Sequence, residues 1–280
     1  MPKQWSTPVK KIENIYFKCE FLNPSGSVKD RGISHQIERL KAKGAKSAVI
    51  SSSGNAAISA AFYCKQEGVK LKVFVSPKIN PAKLKILDDS GFNVEKTLRP
   101  ISGAIKYSKE NQAVNLRQST DPEAILGFES IAYELEEQVS KIDALFLPIS
   151  SGTTLVGIAS GFKNLGFSPS FHIVQTEVIH PLAAFFDHDF KEKKGSLADA
   201  IVAKYTLREK EVLEIVRGSG GAGWVISDQE MIKARKWLNS FDLNCYYEGA
   251  ATLAAVWKAE RKGYKYHRPV CLLTGKDYSR

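Results

Sequence analysis

The sequence predicts an α/β fold in which parallel-rich sheets are covered by helices. Two observations predict it: from residue 47 onward short β-rich runs alternate with amphipathic stretches, and several of those runs end in turns of glycine and small hydroxyl residues. Such alternation favours parallel strands joined by helical crossovers, with ligand groups carried on the turns beyond the strands' carboxyl ends. A third observation, "NPSGSVKDRG" (residues 23–32), sets a lysine at the mouth of a helix.

That segment comes first in chain order. Ile33, Ile37 and Leu40 follow Lys29 at helical spacing. A lysine in a helix's first turn meets the positive end of the dipole, which favours its neutral, nucleophilic amine. Alone, the segment reads first as an ordinary turn before a helix. The strands that follow are "SAVISS" (47–52), "LKVFVS" (71–76), "FNVEK" (92–96), "DALFLPIS" (143–150), "FHIVQTE" (171–177), "GWVIS" (223–227) and "RPVCLLTG" (268–275), with helical stretches between most of them. The polar stretch at 186–210 and "QSTDPE" (118–123) read as surface excursions. No repeat or low-complexity segment interrupts the pattern.

With 280 residues, 43% hydrophobic and 25% charged, the composition is that of a soluble globular protein of one large or two moderate domains. No apolar run reaches the roughly 18 to 20 residues of a membrane span, and the N-terminus lacks the apolar stretch of a secretory signal, so a cytoplasmic protein is expected. Cys19, Cys64, Cys245 and Cys271 are widely spaced in apolar surroundings and read as reduced core residues. The formal charge of +10 is spread along the chain, and anionic small molecules explain it as well as nucleic acid does.

Two turns share a composition: Ser52, Ser53, Gly54, Asn55 and Ala56 after "SAVIS", and Ser150, Ser151, Gly152, Thr153 and Thr154 after "ALFLPI". Small residues let the backbone approach a ligand, and the free N–H groups of a following helix bind anions, although the same residues also simply cap helices. Two anion nests and a deprotonatable lysine suit a ligand with a phosphate and an aldehyde, acting on a substrate with a carboxylate and an amine. Pyridoxal 5'-phosphate working on an amino acid fits that description. The dinucleotide and P-loop fingerprints are missing.

On these motifs the chain resembles the fold type II pyridoxal-phosphate enzymes, the group of tryptophan synthase β-subunit, threonine synthase, threonine dehydratase and cysteine synthase. The resemblance implies two α/β domains, a smaller one over 23–132 and a larger one over 133–280 plus 1–22, with the cofactor in the cleft between them. It implies Lys29 as the Schiff-base residue, Asn55 at the cofactor's phenolic oxygen, and Ser52, Ser53, Gly54 and Ala56 around the substrate carboxylate. The turn at 150–154 occupies the place of the phosphate loop. "GFESIAYELEEQV", "SLADAI", "VRGSGGAGWVISDQEM", "YYEGAATLAAV" and "RPVCLLTG" are similar to stretches of threonine synthase, and the last implies that Thr274 faces the pyridine nitrogen. A neutral hydroxyl there makes the ring a weaker electron sink and favours elimination or replacement over transamination.

Some residues depart from the pattern. Val28 stands where threonine synthases carry phenylalanine, "SVKDR" is the cysteine-synthase spelling, Gly249 replaces a proline, and the phosphate loop carries serine and threonine where glycine and asparagine predominate. The first expectation is a lyase that forms threonine from O-phosphohomoserine. The alternatives are β-replacement on O-acetylserine or O-phosphoserine and a non-catalytic ligand- or partner-binding homologue. A homodimer is expected, with a small amino acid as substrate and neither membrane nor nucleic acid as partner. His172, His180 and His188 lack accompanying carboxylates and read as structural or surface residues, "SGGAG" (219–223) as a turn, and Trp224, Trp237, Tyr246, Tyr247 and Trp257 as packing residues.

Overall fold

The computed structural model describes residues 6–278. In chain order its elements are β1 (Val9–Ile12), β2 (Ile15–Lys18), α1 (Lys29–Ala42), β3 (Ser47–Ser51), α2 (Asn55–Gln66), β4 (Lys70–Val75), α3 (Pro81–Asp89), β5 (Asn93–Lys96), α4 (Pro100–Asn111), β6 (Val114–Asn115) and α5 (Pro122–Gln138). There follow β7 (Ala144–Pro148), α6 (Thr153–Asn164), β8 (Ser170–Thr176), α7 (Glu209–Gly218), β9 (Gly223–Ile226), α8 (Asp228–Asn239), α9 (Tyr247–Arg261) and β10 (Pro269–Leu272). The chain divides into two units, one holding Asn23–Gly127 with Tyr278, the other residues 6–22 with Phe128–Asp277.

The first unit carries a four-stranded sheet in the order β5-β4-β3-β6 with every pair parallel. Ala48, Val49 and Ile50 of β3 are all buried, as a strand between helical layers requires. Phe74, Ala104 and Ala113 pack on Val49. Local chemistry starts the helices: Asn80 accepts the Ala82 N–H ahead of Pro81, and Pro100 opens α4, a position where no N–H is needed.

The second unit carries a six-stranded sheet in the order β1-β2-β10-β7-β8-β9. Its β1–β2 pair is antiparallel and the other pairs are parallel. Phe17, Phe146, Trp224, Met231, Leu253 and Cys271 belong to one continuous core, and the alanines of α9 (Ala250, Ala251, Ala254, Ala255) bury its inner face there. Ser227 and Glu230 close a capping box at the start of α8. At Gly221 the backbone crosses Phe171 so closely that a Cβ would lie 1.8 Å from the Phe171 carbonyl oxygen, so "SGGAG" is a packed turn ahead of β9.

The seven expected strands all form, to within a residue or two at most ends, and the sheets are parallel-rich. The two surface excursions are exposed or half-buried over most of their length and are anchored at a few buried residues. In 118–123, Gln118 is buried and its amide donates to the Lys29 carbonyl at 3.3 Å, while Asp121 accepts from Gln36 at 2.6 Å. In 186–210, Ala198 and Ile201 join the core and Asp187 is buried. Lys258 and Lys262 reach Asp187 at 2.7 and 3.0 Å; burial opposes its charge, but these contacts and the Val225 N–H hold its carboxyl below the usual range. His172 is a structural residue of the interior: it stacks on Phe146 at 4.4 Å, its Nδ1 accepts the Trp224 indole N–H at 3.2 Å, and burial lowers its pKa to about 4. The four cysteines are buried free thiols whose pKa values burial raises.

Candidate active site

In the first unit, Lys29 is the first residue of α1. The loop ahead of it is a hydrogen-bonded knot. Gly26 takes φ +97°, a left-handed conformation that favours glycine, and its N–H donates to the Asn23 carbonyl at 2.8 Å. Ser25 donates its N–H to Asp30 at 2.7 Å and its hydroxyl to the same carboxylate. The Lys29 N–H reaches the Ser27 hydroxyl at 3.3 Å. The lysine is half-buried, and desolvation lowers its ammonium pKa to about 8, so near neutral pH a useful fraction of the amine is unprotonated. Burial also raises the Asp30 carboxyl, offset in part by Ser25 and by the Ser59 and Tyr63 hydroxyls of α2.

The turn after β3 also belongs to this unit. Gly54 precedes α2 in extended backbone, with φ −138°, and nothing lies within 4 Å of where its Cβ would stand. The Ser53 hydroxyl accepts the Ser76 N–H at 2.7 Å and the Ser52 hydroxyl accepts the Gly54 N–H at 3.2 Å. No side chain caps α2, so its first N–H groups, at Asn55 and Ala56, have no intrahelical carbonyl and suit a carboxylate. Among the described residues the Asn55 Oδ1 is buried without a hydrogen-bond partner. A buried amide oxygen without a partner can accept a hydrogen bond from a water or a ligand.

In the second unit the turn after β7 has the same plan and different details. Gly152 takes φ +89°, and a Cβ there would meet Val212 Cγ2 at 2.6 Å, so only glycine fits. Again no side chain caps the helix, leaving the N–H groups of Thr153 and Thr154 for an anion. The hydroxyls are largely committed: Ser150 accepts from the N–H groups of Val202 and Ala203 at 3.3 and 3.2 Å, and Ser151 lies 3.1 Å from Thr153. Thr206 adds a hydrogen bond to the Ser151 carbonyl at 2.6 Å, and Glu248 accepts the Ala200 N–H at 2.7 Å. Segment 200–206 is therefore strapped to this turn. Thr206 carries no motif that the sequence reading could have used, and Glu248 lies within "YYEGAATLAAV" without a role assigned there.

Thr274 leaves β10, the parallel neighbour of β7, where Cys271 pairs with Phe146. It lies three residues past Cys271, as Ile149 lies three past Phe146, so Thr274 and the 150–154 turn issue from the carboxyl ends of adjacent strands. Both flanks are fixed: Leu273 is bonded to Lys18 and Phe21 at 3.0 Å each, and the Gly275 carbonyl accepts the Tyr246 N–H at 2.8 Å. The structure thus groups Lys29 with residues 52–56 in one unit, and residues 150–154 with Thr274 in the other.

Known proteins share this chain's sequence and fold. A family model described as "Pyridoxal-phosphate dependent enzyme" matches residues 2–275. A threonine synthase of Methanocaldococcus jannaschii is 25% identical over 285 residues, covering 94% of this chain and 70% of that protein. An N-(2-amino-2-carboxyethyl)-L-glutamate synthase of Ralstonia nicotianae is 32% identical over 162 residues, covering 52% of this chain and only 48% of its own length. Among solved structures, maize serine racemase superposes with a TM-score of 0.85 at 22% identity, covering 96% of this chain and 87% of that one, and shows the shared fold.

Proposed function

We propose, from the premise that the chain belongs to the pyridoxal-phosphate dependent enzyme family, that it catalyses elimination or replacement on an amino acid and forms threonine from O-phosphohomoserine. The residues present fit the cofactor: Asn55 carries an amide whose NH2 can donate to a phenolic oxygen, Gly152 opens an uncapped helix in a conformation reserved for glycine, and Lys29 has a desolvated amine. Lys29 would carry the cofactor, Asn55 would bond its phenolic oxygen, the 150–154 backbone its phosphate, and Thr274 its ring nitrogen. Bound there, pyridoxal phosphate supplies an electron sink that acidifies the substrate Cα–H and lets a leaving group depart from Cβ or Cγ.

The chain's own residues do the rest. Residues 52–56 orient the amino acid through its carboxylate, using the α2 N–H groups and the serine hydroxyls. The Lys29 amine, poised near neutrality, takes and returns the Cα proton. Thr274, a neutral donor, leaves the ring nitrogen uncharged and tempers the sink, which suits loss of a leaving group.

The observation that carries the choice of O-phosphohomoserine is the length of the threonine-synthase match, 94% of this chain. A β-replacement on O-acetylserine or O-phosphoserine is the second reading, favoured by "SVKDR" and by the higher identity to the Ralstonia enzyme over half the chain. Products decide. Purified holoenzyme should release inorganic phosphate from O-phosphohomoserine, with threonine as co-product, faster than it makes cysteine from O-acetylserine and sulfide at matched concentrations. Cysteine formation without phosphate release would install the second reading, and silence with every substrate would favour a ligand-binding homologue.

A further inference from the structure

Tyr278, near the chain's C-terminal end, belongs to the first unit with Lys29. Its hydroxyl donates to the Ser25 carbonyl at 3.1 Å and also engages the Ser27 side chain. Ser25 and Ser27 are both buried. Their side chains also brace the lysine, Ser25 through the Asp30 carboxylate and Ser27 through the Lys29 N–H. A side chain some 250 residues away in sequence thus bears on both braces at once. The phenol is buried enough that its pKa is pushed well above the ordinary value, so it remains a neutral donor at working pH. Around the loop the titratable neighbours are Asp30, Arg31 and Tyr63.

We propose that Tyr278 is a positioning residue for Lys29: held against the 23–28 loop, its hydroxyl fixes the backbone that keeps the lysine amine desolvated. The inference rests on the reading of Lys29 as the cofactor-carrying residue and extends it to the end of the chain. The hydroxyl orients Ser27 so that its oxygen meets the Lys29 N–H, and it anchors the Ser25 carbonyl while Asp30 holds the Ser25 N–H and hydroxyl. Without the hydroxyl the knot slackens, water reaches the amine, and its pKa rises toward the ordinary lysine value.

The test uses the full chain freed of cofactor, mixed with pyridoxal phosphate at pH 8, with the rate of covalent attachment read from visible absorption. The set is wild type, Tyr278→Phe, Ser27→Ala, the double variant and Lys29→Ala, each with a melting temperature. A rise of one pH unit in the lysine pKa lowers its neutral fraction at pH 8 from about a half to about a tenth, so Tyr278→Phe should attach cofactor roughly fivefold more slowly. Ser27→Ala should show a similar fall, the double variant should be no slower than the slower single variant, and melting should drop by no more than about 4 °C. A wild-type rate in Tyr278→Phe, or effects of the two substitutions that multiply, would overturn the inference while leaving Lys29 in place. Attachment that survives in Lys29→Ala would overturn the reading of Lys29 and the inference with it.

Discussion

The turn after β3 and the turn after β7 are both Ser-Ser-Gly ahead of an uncapped helix, and their glycines meet opposite surroundings. At Gly54 the backbone is extended and the direction of the missing Cβ is open; at Gly152 the backbone is left-handed and the same direction is filled by Val212. The hydroxyls differ as well. Ser53 accepts one N–H, from the next strand's end, while Ser150 holds two N–H groups of a strap from elsewhere in its unit. One turn leaves space, as a site that admits and releases a substrate would; the other is locked by its neighbours, as a site that retains a cofactor phosphate would be. Like spellings therefore meet unlike packing, and on the proposed reading that packing assigns their tasks.

Substitution of the two glycines is the sharpest way to break that contrast. Gly152→Ala forces a Cβ into Val212 and a strained φ, at about 3 kcal/mol, so cofactor affinity should fall about 100-fold in an equilibrium titration and the melting temperature should fall with it. If Gly152→Ala bound cofactor normally, the 150–154 turn would not be the phosphate nest.

Gly54→Ala adds its methyl to open space without backbone strain, so melting should stay within about 2 °C of wild type. The methyl enters the room assigned to the carboxylate, and KM for the amino acid should rise about tenfold, or about 1.4 kcal/mol, with cofactor affinity little changed. A loss of cofactor affinity in place of the KM rise would reverse the roles of the two turns.

The smallest effect is expected at Ser150. Its alanine variant removes the acceptor of the Val202 and Ala203 N–H groups, at about 1 kcal/mol. Amide hydrogen exchange should speed up across 200–206, with cofactor affinity within about fivefold of wild type. A loss as deep as that of Gly152→Ala would mean that the hydroxyl grips the phosphate directly and that the strap is incidental.

Much of this architecture was legible in the sequence because buried parallel strands write themselves as apolar runs between turn residues, as "SAVISS" and "DALFLPIS" do. The β1–β2 hairpin and two-residue β6 were not, since "VKKI" and "VN" are too short and too polar to show a period. The glycine turns and Lys29 could be picked out by composition. What could not be picked out is tertiary: the strap over 150–154, the seat of Gln118 against Lys29, and the reach of Tyr278 to the 23–28 loop all join residues far apart in sequence through a few hydrogen bonds. No periodicity encodes such contacts. Irregular segments such as 186–210 look like surface for the same reason, although Ile201 and Asp187 anchor that stretch in the interior.

The central claim is that Lys29, desolvated at the mouth of α1, is the residue that carries the cofactor. Borohydride reduction of the yellow holoenzyme, followed by proteolysis and mass mapping, tests it most directly. The account predicts that the pyridoxyl mass is found on the peptide containing "SVKDR" and that it disappears in Lys29→Ala along with turnover. The same mass on any other lysine, or a reducible adduct that persists in Lys29→Ala, would contradict it.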